Sequence, residues 1–159
     1  MKAATVKELK QELGNRSPKE LLELCLRLSK FKKENKELLT YLLYEESDEA
    51  AFIQGVKREI EQEFEDINRT SYYFIKKSVR KIMRSTKKYI RYSKKKETEV
   101  ELLIYFCSEL KNMNPSISRN MVLNNIYKRQ IEAIKKAIST LHEDLQYDYE
   151  IELKESLLK

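Results

Sequence analysis

The sequence predicts an all-α protein of six or seven antiparallel helices. They would form a helical bundle or a short HEAT-like stack of helix pairs, with a long C-terminal helix. Three observations carry this. Gly and Pro occur only twice each, where average usage gives about 19 of the two together. The turns of a many-stranded sandwich or barrel are therefore missing. Apolar residues recur at intervals of three and four. Helix-start signals stand in front of several of these stripes. With 159 residues the chain has the length of one domain, read as a single all-helical unit over 1–159. No clean repeat appears at a period of about 34–47 residues, so the HEAT-like stack remains an architectural analogy.

Thr5-Val6-Lys7-Glu8 is a capping box ahead of Leu9 and Leu13, and Gly14 closes that helix. Ser17-Pro18-Lys19-Glu20 is a second box with proline at the first helical position, leading into Leu21, Leu24, Cys25 and Leu28. A third helix is expected over 34–45, with Leu38, Leu39, Leu42 and Leu43 inward. Ser47 is expected to cap a fourth, whose stripe is Phe52, Val56, Ile60, Phe64 and Ile67. The fifth runs over 72–92. The sixth covers 97–112 and stops before Asn114-Pro115, because a residue preceding proline resists the helical region. After Ser118 no glycine or proline appears, and apolar spacing continues through Val122, Ile126, Gln130, Ile134, Ile138, Leu141, Leu145, Tyr149, Leu153 and Leu157. One straight helix over that stretch would be about 60 Å long. It must bend, break without a familiar signal, or project toward a partner.

Charge is sharply localised. Between 69 and 96 there are twelve basic residues and no acidic ones, while the remainder carries twenty basic and twenty-six acidic. On a helical wheel, Tyr72, Ile75, Val79, Ile82, Met83, Thr86 and Ile90 form the core side. Lys76, Arg80, Arg84, Lys87 and Arg91 line one flank with Tyr73, and Lys77, Lys81 and Lys88 face outward. Together with Arg69 these are the candidate anion- or nucleic-acid-binding residues, since Lys and Arg neutralise phosphates and exposed aromatics stack bases. The preceding stretch, 45–66, holds nine acids against Lys57 and Arg58. If the two helices pair, part of the positive charge is answered inside the chain. A membrane surface is disfavoured, because the apolar face of this helix is needed for a core and there is no Trp.

Residues 5–13, Thr5-Val6-Lys7-Glu8-Leu9-Lys10-Gln11-Glu12-Leu13, resemble the first helix of SAP-type DNA-binding motifs. Ser17-Pro18-Lys19-Glu20-Leu21-Leu22-Glu23-Leu24 stands where the second helix of that family would be. The likeness spans roughly residues 5–28 and implies a helix pair that meets DNA. The connection here is Gly14-Asn15-Arg16, without the Gly-Leu turn and the small-residue, Gly and Lys stretch that meets phosphates in that family. The whole chain also resembles the small uncharacterised all-helical proteins of bacteria, a likeness that brings no functional residues with it.

Catalytic and metal chemistry find little to stand on. Neither GxGxxG nor GxxxxGK[ST] can be written around Gly14 and Gly55. His142 is the only histidine, and Ser139 precedes it where a di-iron helix would carry Glu. Glu59, Glu63 and Asp66 share a face, as carboxylates on charged helices routinely do. Cys25 and Cys107 are expected as two buried thiols. The expectation is a non-enzymatic helical interaction or adaptor protein with no cofactor, metal or small-molecule substrate; the alternative is a nucleic-acid-binding protein using 69–96. No apolar segment opens the chain, and the longest apolar run, 102–107, is too short to span a bilayer. A cytoplasmic protein without membrane contact is therefore expected. The C-terminal stretch is acidic as well as amphipathic. It is expected to dock on the basic helix of its own chain or to make a homodimer across a second one.

Overall fold

The computed structural model describes residues 1–159 and is all-helical, with no strand. The helices are α1 (Val6–Gly14), α2 (Pro18–Phe31), α3 (Lys33–Thr40), α4 (Glu49–Glu65), α5 (Tyr72–Ser93), α6 (Lys96–Asn112), α7 (Met121–Ile138) and α8 (Glu143–Ser156). A π-helical turn, Tyr41–Glu45, follows α3, and 3-10 turns occupy Glu46–Asp48 and Ile117–Arg119. No helix is long and apolar enough to cross a membrane. The chain divides into two compact units, Met1–Tyr44 and Glu45–Lys159.

In the N-terminal unit both capping boxes form. Thr5 N donates to Glu8 Oε2 at 2.7 Å and Glu8 N returns to Thr5 Oγ1 at 3.3 Å. Ser17 N donates to Glu20 Oε2 at 2.8 Å, and Glu20 N to Ser17 Oγ at 3.2 Å. Asn35 Nδ2 reaches the carbonyl of Leu28 at 2.8 Å and ties α3 to α2. Yet the leucines of these helices do not make a core. Among residues 1–44 only Ser29 and Tyr41 are buried. The expectation of two buried thiols is corrected here, since Cys25 is exposed while Cys107, on α6, is buried.

The unit Glu45–Lys159 is conventionally packed. Ile75, Val79, Val100, Leu102, Phe106, Cys107, Leu110, Leu123 and Ile134 have no accessible surface. α6 lies at the centre, packed on α4, α5, α7 and α8, and its buried positions cover most of its circumference, from Leu102 to Leu103, Ile104 and Phe106. An all-round apolar helix is what a central position requires. The cap of α4 is Asp48 rather than Ser47: Asp48 Oδ1 accepts from Ala51 N at 3.1 Å. α4 and α5 run antiparallel. The turn between α5 and α6 is held by Glu49, which accepts from Ser93 Oγ, from Thr98 Oγ1 at 2.6 Å and from Lys95 Nζ at 3.1 Å.

The long C-terminal helix is two helices. α7 ends at Ile138 because local hydroxyls take its last carbonyls: Ser139 Oγ donates to Lys136 O and Thr140 Oγ1 to Ala137 O, both at 2.7 Å. Gln146 Nε2 adds a bond to Leu141 O at 2.7 Å. His142 then caps α8, its Nδ1 accepting from Asp144 N at 3.4 Å. α8 folds back onto α6 and α7. Leu153 and Leu157 are buried there. Tyr149 Oη donates to Glu101 Oε1 at 3.2 Å, and Tyr127 Oη to the carbonyl of Leu157 at 2.8 Å. The acidic tail thus meets α6 and α7, and two of the leucines that suggested a partner are covered within the chain.

Candidate anion-binding site

α5 carries the basic residues, and its two flanks meet different surroundings. The wheel places its core side correctly, since Ile75, Val79, Ile82, Met83 and Thr86 are all buried. One flank faces the acidic helix α4. Tyr89 Oη donates to both carboxylate oxygens of Glu59, at 2.9 and 2.8 Å. Tyr89 meets the Phe52 ring edge-on at 6.1 Å and the Tyr92 ring at 6.0 Å. Lys88 Nζ stands 4.6 Å from the centroid of the Tyr89 ring, a cation over an aromatic face. Glu63 lies in this seam with Oε2 buried and without a hydrogen-bond partner. Burial pushes its carboxyl above the ordinary value and Glu59 pushes it further, while Lys81 and Lys88 pull the other way.

The opposite flank faces α7. Between the two helices lies a cleft of about 580 Å³ lined by Arg80, Met83, Arg84 and Lys87 of α5 and by Val122, Asn125, Ile126, Arg129, Gln130 and Ala133 of α7. The α5 cations stand at successive turns of one face, and the α7 residues recur at intervals of three and four along the facing helix. Four cationic residues line this cleft. None of Arg80, Arg84, Lys87 and Arg129 forms an ion pair within the chain. The floor is apolar, from Met83, Val122, Ile126 and Ala133. Gln130 is only 6% exposed, and its Oε1 has no hydrogen-bond partner. A buried amide oxygen left unpaired is costly, and most such groups in folded proteins are satisfied.

The other sequence candidates distribute themselves around this arrangement. Lys76 borders the same flank half-buried, while Lys77, Lys81 and Arg91 are exposed. Tyr73 is 65% exposed and packs edge-on against Phe74 with ring centroids 5.3 Å apart. Arg69 has a structural part: its Nη2 donates to the carbonyl of Phe64 at 3.2 Å in the last turn of α4. Arg129, Asn125 and Gln130 complete the cleft, and of these the sequence pattern marks only Gln130, as a member of the apolar stripe. A signal existed, since α7 carries Lys128, Arg129, Lys135 and Lys136 against Glu132 alone. The spacing had assigned Gln130 to the apolar stripe, and it is indeed buried there.

Elsewhere the chemistry-bearing groups are dispersed. Burial pushes the Cys107 thiol up to about 12, so it stays protonated at neutral pH. His142 is exposed and serves as a helix cap. No group of three or more His, Cys, Asp or Glu side chains is placed to hold a metal ion. Fold and cleft together define an all-helical protein with an uncompensated cationic groove. No protein-family model matches the chain, nor does any curated protein or solved structure.

Proposed function

We propose that this is a non-enzymatic nucleic-acid-binding protein that grips the phosphate backbone along the α7-facing flank of α5. The observation that carries the reading is the contrast between the flanks. On the α4 side, aromatic rings and carboxylates answer the charge. On the α7 side, Arg80, Arg84, Lys87 and Arg129 line one cleft and form no ion pair within the chain. Like charges brought together repel, and an anion between them removes that repulsion. Guanidinium groups suit phosphate because they donate two parallel hydrogen bonds. From Lys76 to Arg91 the flank is about 22 Å long, which spans several phosphates of an extended strand. Tyr73 and Phe74 near the start of α5 offer exposed rings for stacking bases.

The test is fluorescence anisotropy with labelled single-stranded and duplex oligonucleotides of unrelated sequence. Binding should tolerate sequence and weaken steeply with salt, with a log–log slope of roughly −3 to −5 for four to six neutralised phosphates. The triple variant R80E/R84E/R129E should lose about a hundredfold or more in affinity at low salt. Undiminished binding by that variant, or no binding by the native chain at low salt, would overturn the reading.

A protein-interaction role has one observation of its own. The N-terminal unit exposes Leu9, Leu13, Leu22, Leu24, Leu26, Leu28 and Phe31, and large exposed apolar patches mark interaction sites.

A further inference from the structure

The groove between α1 and α2 is an open apolar feature of the N-terminal unit. It encloses about 890 Å³, with Leu9, Leu13, Leu24, Leu28 and Phe31 as its apolar lining. Those five side chains are between 40% and 77% exposed. Charged residues of both signs rim it, among them Glu23 and Arg27.

The order of these charges says what fits. With Leu24 at zero and about 100° per residue, Glu20, Glu23, Arg27 and Lys30 all fall on one flank of α2. Read along the helix they run acid, acid, base, base. A two-fold axis perpendicular to α2 brings this flank against its own copy in reverse order. Glu23 of one chain then faces Arg27 of the other, while Glu20, already bonded to Ser17 N and paired with Arg16 in its own chain, lies opposite Lys30. A parallel copy would instead set this charged flank against the opposite flank of α2, where Leu21, Cys25 and Ser29 offer no counter-charge. Glu23 and Arg27 form no ion pair within their own chain, so both remain available.

We propose that α2 pairs antiparallel with α2 of a second copy of this chain, closing the groove into a symmetric homodimer. Leu24, Leu28 and Phe31, with Leu9 and Leu13 of α1, form the dry centre. The flank charges fix direction and register. This interface is independent of the α5–α7 cleft, so each proposal stands or fails on its own measurement.

Sedimentation equilibrium of the full chain tests it, with circular dichroism on every variant to show that helix content is kept. The native chain should be a dimer at tens of micromolar. E23R and R27E should each weaken dimerisation by about tenfold, because each replaces two attractions by two repulsions across the axis. An equimolar mixture of E23R and R27E should restore native affinity as a heterodimer, since one chain then carries two arginines and the other two glutamates. L24D/L28D should weaken it by at least a hundredfold. A native chain that remains monomeric at these concentrations overturns the proposal. So does a dimer indifferent to L24D/L28D, or a mixture of the two charge variants that dimerises no better than either alone.

Discussion

The α4-facing and α7-facing flanks of α5 come from the same run of sequence and share one composition, yet they are in opposite electrostatic conditions. On the α4 side Tyr89 is bonded to Glu59, and Lys88 lies over the Tyr89 ring. On the α7 side three cations of α5 meet a fourth, Arg129, and an amide oxygen without a partner. Contact between the basic run and the acidic helix lies along one flank: Lys95 pairs with Glu49, the Tyr89 hydroxyl takes Glu59, and Lys81 and Lys88 act electrostatically on Glu63. A helix can be zipped to its neighbour along one edge and present charge along the other. Which edge does which depends on the helices placed beside it.

The α4-facing edge should be the one that stability experiments detect. Its strongest joint is Glu49, which binds Ser93, Thr98 and Lys95 at the end where α4 meets the α5–α6 turn. Thr98 is fully buried and Ser93 is 6% exposed. Glu49→Ala leaves two buried hydroxyls without their acceptor and should cost about 2–4 kcal/mol. Urea denaturation followed by circular dichroism measures it. Oligonucleotide affinity, measured under conditions where the variant is still folded, should stay close to native. A large affinity loss at full helix content would erase the distinction between the flanks.

The opposite flank should show the reverse pattern at Gln130. Its amide is buried and its Oε1 is unpaired, so the folded state bears the desolvation of that group without a compensating bond. Gln130→Leu keeps the volume and removes the polar atoms. It should stabilise the chain by about 1 kcal/mol, read as a higher urea midpoint with an unchanged slope. A polar group kept at a cost to folding is consistent with use by a ligand, and affinity for oligonucleotides should fall in this more stable variant. Stabilisation without any loss of affinity would remove Gln130 from the cleft's chemistry.

The periodicity of Ile75, Val79, Ile82 and Met83 is local, so it reveals the buried face of α5. That Arg129 and Arg84 line one cleft depends on α7 packing against α5 after a connection through α6, and no local pattern reports that. The break at 139–142 was hidden for another reason. It uses Ser139 and Thr140 hydroxyls and a histidine cap rather than glycine or proline. The leucine stripes of α1 and α2 correctly announce helices, but a stripe says only that a face is apolar. Whether the same chain covers it is decided by the rest of the packing, and here Leu24 and Leu28 stay exposed.

The smallest expected effect concerns pH and the α4-facing seam. Glu63 is half-buried there, and burial, followed by repulsion from Glu59, raises its carboxyl above the ordinary value. A carboxyl that holds its proton more tightly in the folded than in the unfolded state favours folding at low pH. That contribution is fully present below the unfolded value and is lost as pH rises through the folded one. At neutral pH Glu63 is charged in a place that disfavours charge, and Lys81 and Lys88 only partly offset this. Glu63→Gln removes the titration and keeps the shape. The variant should gain stability relative to the native chain as pH rises from the acid side toward neutrality, by less than about 1 kcal/mol given the partial exposure. Urea midpoints of both proteins at a series of pH values measure the difference directly. A difference that stays flat across the series, or that favours the native chain more at neutral pH, would mean that Lys81 and Lys88 hold Glu63 as a paired carboxylate. The α4-facing edge would then be more completely neutralised than its geometry indicates.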